Sequence, residues 1–352
     1  MTELVLIANA GDGTISTLRL HRGPEPHLEV VATSGELKGC STFAVDADHD
    51  LVFAAYKGDT PGIATLELDR STGELHELAR RGTTDSMTYL ALANGGRALL
   101  GASYGGGFGA VWPVEGPALG DPHSRFTHAN LHCIVAVGPI SSPDGVSSAS
   151  SDESAYVYAV SLGDALVAQF SIDAAGRLAP LDPAVVHTAP GSGPRHLVVE
   201  GSNAYLVTEF SGDVIRLAVR SDGSLAKAEA LDVVNPAAGL RHSAIDADPK
   251  AEPLIWGADV HVAGDHVITS ERNSSQLTTV RLSEDRRLDE VVGFVDTERT
   301  PRGFNVTGDG RFVIAVGEDS TQAQLLELAA DGTLTPRDRV PIGRGANWVR
   351  FA

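Results

Sequence analysis

The sequence contains little cysteine and no long apolar run. Its two cysteines, Cys40 and Cys133, are too few for a disulfide framework, and no CxxC or Cys/His cluster predicts structural zinc. No stretch approaches the roughly 18 apolar residues that a membrane-spanning helix needs. The first residues, MTELVLIANAGDG, have neither the basic region nor the apolar core of a signal peptide. These absences predict a cytoplasmic protein with no membrane span, no bound metal and no cofactor.

Positive charge is also scarce, and arginine carries almost all of it. The 352 residues include 27 Lys+Arg against 46 Asp+Glu, which gives a formal net charge of −19. Four residues are lysines: Lys38, Lys57, Lys227 and Lys250. Nucleic acids and anionic membranes are bound through clustered positive charge. The composition therefore argues against both as partners.

What the sequence does contain is a weak repeat in seven copies. Each copy has a short apolar run, a turn rich in Gly, Asp and Ser, an alternating run, a second turn and a Leu-rich tail. The copies are spaced by about 45 to 60 residues, the range expected for propeller blades. They begin at Leu4, Leu51, Ala98, Tyr156, Ala204, His266 and Phe312.

The periodicity within each copy is that of β-strands. Apolar and polar residues alternate in IATLELD (63–69) and QFSID (169–173), whereas the first run of each copy is almost wholly apolar. Such a run suits a strand that neighbouring blades cover on both faces. The 3.6-residue periodicity of a helical solenoid is absent. We therefore predict an all-β, seven-bladed β-propeller that forms one domain over residues 1–352.

Two segments do not fit the repeat. The first, GPISSPDGVSSASSDESA (residues 138–155), is rich in Ser, Pro, Gly and Asp and predicts a solvated loop insertion between two strands within the third copy. The second, at about residues 232–253, contains several prolines and predicts a protruding connection. Both are expected to be excursions from the propeller.

Several motifs between the apolar runs resemble one known family. They are TYLALANGGRALLGASYGGG (88–107), GSGPRHLVV (191–199), WGADVHV (256–262), SERNSSQLTTVRLSED (270–285), TPRGFNVTGDGRFVIAVGEDS (300–320) and GRGANWVRF (343–351). In this order they resemble the seven-bladed propeller lactonases, a family that includes 6-phosphogluconolactonases and carboxy-cis,cis-muconate lactonizing enzymes. The resemblance covers essentially the whole chain and implies a pocket on one face of the propeller.

The resemblance also implies which residues surround that pocket. It assigns catalytic positions to His132, Arg195, Glu209 and Arg272, and substrate-binding positions to Arg302, Asp259, His261 and His128. Many members have a PHAH-type pair followed directly by an SPDG turn. Here Asn130 and Leu131 precede His132, and SPDG comes only after Pro139-Ile140-Ser141. The position of His128 is thus a departure from the family pattern.

These residue types suit hydrolysis of a lactone. A histidine can act as a general base toward water, and arginine can bind a substrate anion and the developing oxyanion. We expect His132 to be the base and Glu209 to be its orienting partner or an alternate base. Arg195 and Arg272 would hold the oxyanion and the substrate anions.

Structural readings compete with these assignments. An arginine or a glutamate at a blade edge often forms only an ion pair, a lone histidine often packs in a core, and Asp259 and His261 could tie blades together. Adjacent strand residues face opposite sides. On that rule we expect His196 to point away from Arg195, and Cys133 to be a buried thiol and not a partner of His132.

Three functions remain open on the sequence. The first is a lactonase for a sugar-acid lactone, with 6-phosphogluconolactone as the most similar precedent. The second is a muconate-type lactonizing enzyme (a cycloisomerase), or a lactonase for an unphosphorylated sugar acid. The third is a non-catalytic propeller that binds a ligand or a protein. The clustered arginines favour a small anionic lactone as the partner. Nothing in the sequence predicts an oligomeric state.

Overall fold

A computed structural model describes residues 2–138 and 155–352, and its regular structure is almost wholly β. The strands of the first part are β1 (Thr2–Asn9), β2 (Thr14–His21), β3 (His27–Ser34), β4 (Phe43–Asp46), β5 (Leu51–Tyr56), β6 (Gly62–Leu68), β7 (Leu75–Gly82), β8 (Tyr89–Ala93), β9 (Ala98–Ser103), β10 (Phe108–Glu115), β11 (Ala118–Leu119), β12 (Ser124–Thr127) and β13 (Leu131–Val137). Those of the second part are β14 (Tyr156–Ser161), β15 (Leu166–Ile172), β16 (Leu178–His187), β17 (Pro194–Glu200), β18 (Asn203–Thr208), β19 (Asp213–Val219), β20 (Leu225–Asp232), β21 (Gly257–Ala263), β22 (His266–Glu271), β23 (Gln276–Leu282), β24 (Leu288–Asp296), β25 (Gly303–Val306), β26 (Phe312–Val316), β27 (Gln322–Leu328), β28 (Leu334–Pro341) and β29 (Ala346–Phe351). A single turn of 3-10 helix, Pro236–Ala238, interrupts the described strands.

The described strands form seven antiparallel sheets, so the prediction of a seven-bladed propeller is confirmed. Blade 1 consists of β29, β1, β2 and β3, blade 2 of β4–β7, blade 3 of β8–β12, blade 4 of β13–β16, blade 5 of β17–β20, blade 6 of β21–β24 and blade 7 of β25–β28. The first strand of each blade contacts the first strand of the next, which makes an inner ring of β29, β4, β8, β13, β17, β21 and β25.

The ring is closed by pairing the two ends of the described chain. Strand β29 lies beside β1, with Phe351 opposite Val5 and Val349 opposite Ile7. Trp348 also donates from Nε1 to the carbonyl of Phe43 in blade 2, at 2.9 Å. Each sequence copy therefore begins at the second strand of a blade, and the first strand of that blade comes from the tail of the preceding copy.

The apolar runs of the second strands are explained by packing on both faces. In β1, Leu4, Leu6 and Ala8 pack against blade 2, whereas Val5 and Ile7 pack against blade 7. Similar clusters fill the other interfaces between blades. A strand buried in this way loses the polar alternation of a half-exposed strand. The expectation that these runs are covered on both faces is confirmed.

Four inner strands carry a β-bulge at the same place, their second residue. The pairing register shifts at Asn347 in β29, at His132 in β13 and at Arg195 in β17. It shifts at Ala258 and Asp259 in β21 as well. A bulge leaves one residue unpaired and redirects its side chain. The alternation rule therefore fails at the end of the inner ring where several polar side chains lie.

Of the two predicted excursions, the structure describes the second in full and the first only at its ends. The connection from residue 233 to 256 is long, as expected, and its residues Arg241 and Leu254 form an isolated bridge. The predicted insertion at about 138–155 lies between β13 and β14 of blade 4, and its residues 139–154 lie outside the described residues. Among the helices of the described chain, none is long and apolar enough to cross a membrane.

Candidate active site

The topology of the blades brings two sets of residues to one face. The first strands all start at this face, and the second strands, which run antiparallel to them, end there. A cavity of about 360 Å³ opens at this point, within the size range of small-molecule sites. It is lined by Lys57, Ser86, Thr88, Tyr104, Gly105, His132, Arg195, Glu209, Trp256, Arg272 and Arg302.

Glu209 lies between two arginines at the base of this cavity. Arg195 donates from Nε to Oε2 of Glu209 at 2.8 Å, and Nη2 of Arg272 lies 3.0 Å from the same oxygen. The side chains are 1% exposed for Arg195, 4% for Arg272 and 15% for Glu209. Burial alone would raise the pKa of Glu209, but Arg272 and Arg195 outweigh it and lower that pKa. The carboxylate is therefore held ionised.

Backbone carbonyls at the start of blade 6 accept further hydrogen bonds from the same two arginines. Arg272 donates from Nε to the carbonyl of Trp256 at 3.1 Å and from Nη2 to that of Gly257 at 3.0 Å. Arg195 donates from Nη1 to the carbonyl of Ala258. Residue 257 must be glycine because a Cβ there would overlap the carbonyl oxygen of Thr208. The bulge at the start of β21 thus supplies the acceptors that orient both guanidinium groups.

Arg272 is further held by an aromatic ring. Its guanidinium carbon lies 3.8 Å from the ring centre of Trp256, in cation–π geometry. Burial lowers the pKa of Arg272 to about 9, while Glu209 opposes that change. The guanidinium therefore stays charged at neutral pH in a position fixed by an acid, two carbonyls and a ring.

His132 lies beside the arginines and is neutral. Its ring centre is 5.7 Å from that of Tyr104 and 5.0 Å from that of His196. Burial, followed by the charge of Arg195, lowers the pKa of His132 well below its usual value. Its Nδ1 is buried and makes no hydrogen bond to the described residues. Glu209 bonds to the arginines and not to His132, so the expectation that it orients this ring is not met.

Cys133 is a buried thiol, as expected. It packs with Val160 and Leu197 between blades 4 and 5, on the other side of the strand from the cavity. Burial raises its pKa to about 12. A thiol in this state is not a nucleophile at neutral pH.

The expectation that His196 faces away from Arg195 is wrong. Arg195 Nη1 lies 3.2 Å from His196 Nε2, and the bulge at Arg195 is the reason, since it breaks the alternation of the strand. An arginine can only donate, so His196 Nε2 accepts and its Nδ1 carries the proton. That proton is donated to Oδ1 of Asp259 at 2.7 Å. Burial and then Arg195 lower the pKa of His196 to about 4, so the ring is neutral.

Asp259 and His261 do not line the cavity. Asp259 is buried beneath it, where it accepts from His196 and from the backbone N–H of Val260 at 3.0 Å. His261 Nε2 lies 3.4 Å from Oδ2 of Asp259, and this ring borders a separate recess with Asn305. Asp259 therefore acts on Arg195 through His196, and the reading that it ties blades together also fits its contacts.

His128 is likewise outside the cavity lining. Its Nδ1 lies 3.0 Å from Oδ2 of Asp164, with His128 in the connection from blade 3 to blade 4 and Asp164 in the β14–β15 turn of blade 4. Asp164 also accepts from the backbone N–H of Ala129 at 3.0 Å. These contacts hold a turn next to the start of β13, the strand that carries His132.

Arg302 does line the cavity, together with residues that sequence reasoning missed. Arg302 donates from Nη1 to Oε1 of Glu318 at 2.7 Å. Lys57 and Tyr104 were not among the predicted residues, although each immediately follows the second strand of its blade. Glu209 and Arg272 occupy that same rank in blades 5 and 6. Comparing equivalent positions of the repeat would have identified both. Among the described residues, no group of three or more His, Cys, Asp or Glu side chains could hold a metal ion.

Comparison with known proteins identifies the family. A sequence model described as "Lactonase, 7-bladed beta-propeller" matches residues 5–351. This chain belongs to the seven-bladed β-propeller lactonase family. It is a lactonase, a hydrolase of cyclic esters. The clustered arginines, the glutamate and the neutral histidine are therefore the active-site candidates of a lactonase.

Individual relatives extend over the whole chain. The 6-phosphogluconolactonase of Serratia proteamaculans is 32% identical over 364 residues, which span 99% of this lactonase and 98% of the relative. That of Erwinia tasmaniensis is 26% identical, with 99% and 98% covered. Among solved structures, the periplasmic gluconolactonase of Pseudomonas aeruginosa superposes with a TM-score of 0.83 at 23% identity, over 100% of this chain and 99% of that one. At this identity the structural likeness shows the fold alone.

Proposed function

We propose that this lactonase hydrolyses a phosphorylated sugar-acid lactone, with 6-phosphogluconolactone as the first substrate to test. The observation that carries the proposal is the charge of the cavity. Its lining has four cationic side chains, from Lys57, Arg195, Arg272 and Arg302, against the single carboxylate of Glu209. Glu318 beside it still leaves two positive charges in excess. A phosphate monoester carries about that much opposite charge at neutral pH.

In this proposal His132 takes the proton of the attacking water. The water oxygen forms a bond to the lactone carbonyl carbon as the proton passes to neutral His132. The carbonyl oxygen becomes an oxyanion, and the ring C–O bond then breaks. The ring oxygen leaves as an alkoxide and takes the proton back from His132. The product is an open-chain hydroxy acid, and no group outside the site is needed to balance the step.

The two fixed arginines suit stabilisation of the oxyanion. Nη2 of Arg195 and Nη1 of Arg272 make no hydrogen bond to the described residues, while the other nitrogens of both are committed. Donors that are fixed before the reaction do not need to reorganise when charge develops on the carbonyl oxygen. Glu209 holds the two guanidinium groups together in spite of their mutual repulsion.

A hydrolysis screen tests the substrate. Acid release is measured with a pH indicator on freshly prepared 6-phosphogluconolactone, glucono-1,5-lactone and a muconolactone, with spontaneous hydrolysis subtracted. Charge-assisted hydrogen bonds to the phosphate should raise kcat/KM for the phosphorylated lactone about 10- to 100-fold over the unphosphorylated one. Equal rates on the two sugar lactones would contradict the phosphorylated substrate. Activity on the muconolactone alone would favour the lactonizing-enzyme alternative, and activity on none of the three would contradict the proposed substrate class.

The pH dependence of kcat/KM tests the base. His132 is active as a base when it is neutral, which it is above its pKa, and that pKa lies well below the ordinary value. With glucono-1,5-lactone, which has no phosphate to titrate near pH 6, we expect kcat/KM to be flat from about pH 6 to 8, where an ordinary histidine would titrate, and to fall only at lower pH. A midpoint near the ordinary value of about 6.5 would contradict this assignment.

A cytoplasmic location is part of the same proposal. Cys40 and Cys133 are both buried and unpaired, as is usual in a reducing compartment.

A further inference from the structure

The cavity has two walls of different character. The reacting wall is formed by His132, Arg195 and Arg272 of blades 4 to 6. The second wall is formed by Lys57 of blade 2, Thr88 of blade 3 and Arg302 at the start of blade 7, and the charge of Arg302 acts on both Lys57 and His132. The mechanism proposed above uses the first wall only. The second wall contains hydrogen-bond donors that the mechanism leaves without a role.

Lys57 is the least compensated cation of the second wall. No carboxylate of the described residues lies within ion-pair distance of its ammonium group, whereas Lys250 at the surface is 3.3 Å from Asp319. Burial and the charge of Arg302 lower the pKa of Lys57, as expected for a cation placed beside another cation. The carboxylates of Glu318 and Asp85 oppose this shift, but neither lies within ion-pair distance of Lys57, and Glu318 is paired with Arg302.

Thr88 and Arg302 add further donors to the second wall. The hydroxyl oxygen of Thr88 accepts from the backbone N–H of Tyr104 at 3.1 Å, which leaves the hydroxyl proton of Thr88 to be donated elsewhere. Arg302 donates from Nη1 to Glu318, and its other nitrogens make no hydrogen bond to the described residues. The wall therefore presents an ammonium group, a hydroxyl and one edge of a guanidinium group to the cavity.

We propose that Lys57, Thr88 and Arg302 form the subsite for the phosphate of the substrate, and that Lys57 sets the preference for phosphorylated lactones. The proposal rests on the proposed function above and assigns the two ends of the substrate to different groups of lining residues. A phosphate monoester has three acceptor oxygens and up to two negative charges, which matches three donors of two cations and one hydroxyl. An unphosphorylated lactone would use the reacting wall and leave Lys57 unused.

The test compares two substrates on Lys57→Met, which keeps the length of the side chain and removes its charge. We expect the KM for 6-phosphogluconolactone to rise about 10- to 100-fold and kcat to change by less than about threefold. The KM for glucono-1,5-lactone, which has no phosphate, should rise by less than about threefold. Thr88→Val should raise the KM for 6-phosphogluconolactone less than Lys57→Met does. Thr88→Ser keeps the hydroxyl and should have a KM close to that of the wild type.

The matched control is Lys227→Met, which removes a lysine from the exposed outer strand β20 of blade 5. It should behave as the wild type on both lactones, which separates a local contact from a loss of overall charge. A KM that rises equally for both lactones in Lys57→Met, or for neither, would overturn the subsite.

A binding measurement separates failure of the subsite from failure of the proposed function. If the wild type hydrolyses neither sugar lactone, calorimetric titration with 6-phosphogluconate and with gluconate still tests the second wall. The subsite predicts that the wild type binds the phosphorylated acid at least about tenfold more tightly and that Lys57→Met abolishes the difference. Equal affinity of the wild type for the two acids would overturn it.

Discussion

Replacing His132 by Asn is expected to lower kcat by about 10²- to 10⁴-fold, the usual contribution of a general base. Asparagine is polar and neutral, as His132 is in this site, but it cannot take a proton from water. The KM should change little because the phosphate of the substrate is assigned to Lys57, Thr88 and Arg302 and not to His132. Because Nδ1 of His132 has no hydrogen bond to the described residues, the substitution breaks none there. Steady-state kinetics on the preferred lactone measure the effect.

His187→Asn is the control for this variant, since His187 is an exposed histidine at the end of β16. It should retain wild-type kinetics. A second signature comes from pH, because the acid limb of the wild-type profile should be absent from the residual activity of His132→Asn. If that variant keeps kcat within about threefold of the wild type, another group must activate the water.

The architecture could be predicted because it depends on features that repeat. Seven apolar runs at nearly constant spacing predict seven second strands, and each run is apolar because it is buried by the blades on both sides. The β1 strand shows this directly, since Leu6 and Ile7 are neighbours in the chain and yet both are fully buried in different interfaces. The pattern of buried apolar residues extends over many positions, so an irregularity at one residue does not change the predicted fold.

The contacts within the site could not be predicted in the same way because they depend on one-residue irregularities. Strict alternation separates Arg195 from His196, but the bulge lets His196 accept from Arg195 while Asp259 accepts from His196. A bulge costs little and leaves no mark in the periodicity of the run. The resemblance to lactonases named Arg195 and Asp259 without indicating that a histidine joins them.

Two cavity residues, Lys57 and Tyr104, were missed in the sequence for a different reason. Lys57 and Tyr104 stand directly after β5 and β9, just as Glu209 and Arg272 stand directly after β18 and β22. The prediction drew its residues from segments that resemble the family: the segment with Lys57 was not among them, and Tyr104, which lies in the motif 88–107, was assigned no role. Comparing equivalent positions of the seven copies would have placed Lys57 at the cavity. One residue of the second wall would then have been predicted from the sequence.

Replacing Glu209 by Gln should weaken both the fold and the reaction. The carboxylate of Glu209 is the charge that compensates Arg195 and Arg272, both of which are almost fully buried. Removing one partner of a buried ion pair leaves uncompensated charge and costs about 3 to 5 kcal/mol of unfolding free energy. Glutamine keeps the shape and can still accept one hydrogen bond, so we expect the lower end of that range. Chemical denaturation followed by fluorescence measures it.

Glu209→Gln should also lower kcat, because Arg195 and Arg272 lose their alignment. Without Glu209, repulsion between the two guanidinium groups favours their separation, so the free nitrogens Arg195 Nη2 and Arg272 Nη1 are no longer held in a fixed arrangement. Loss of a preorganised oxyanion donor costs about 10²- to 10³-fold in kcat. The loss should persist under conditions in which Glu209→Gln is fully folded, which separates it from simple instability.

The molecule provides a matched control for this variant on its outer surface. Glu327 also bridges two arginines, Arg311 at 2.8 Å and Arg337 at 2.7 Å, but both partners are about half exposed to solvent. Water screens such pairs, and they contribute about 0 to 1 kcal/mol. Glu327→Gln should therefore leave kcat unchanged and shift the unfolding free energy by less than about 1 kcal/mol. If the two variants were equally stable and equally active, burial of the Glu209 pair would have no role in holding the site together.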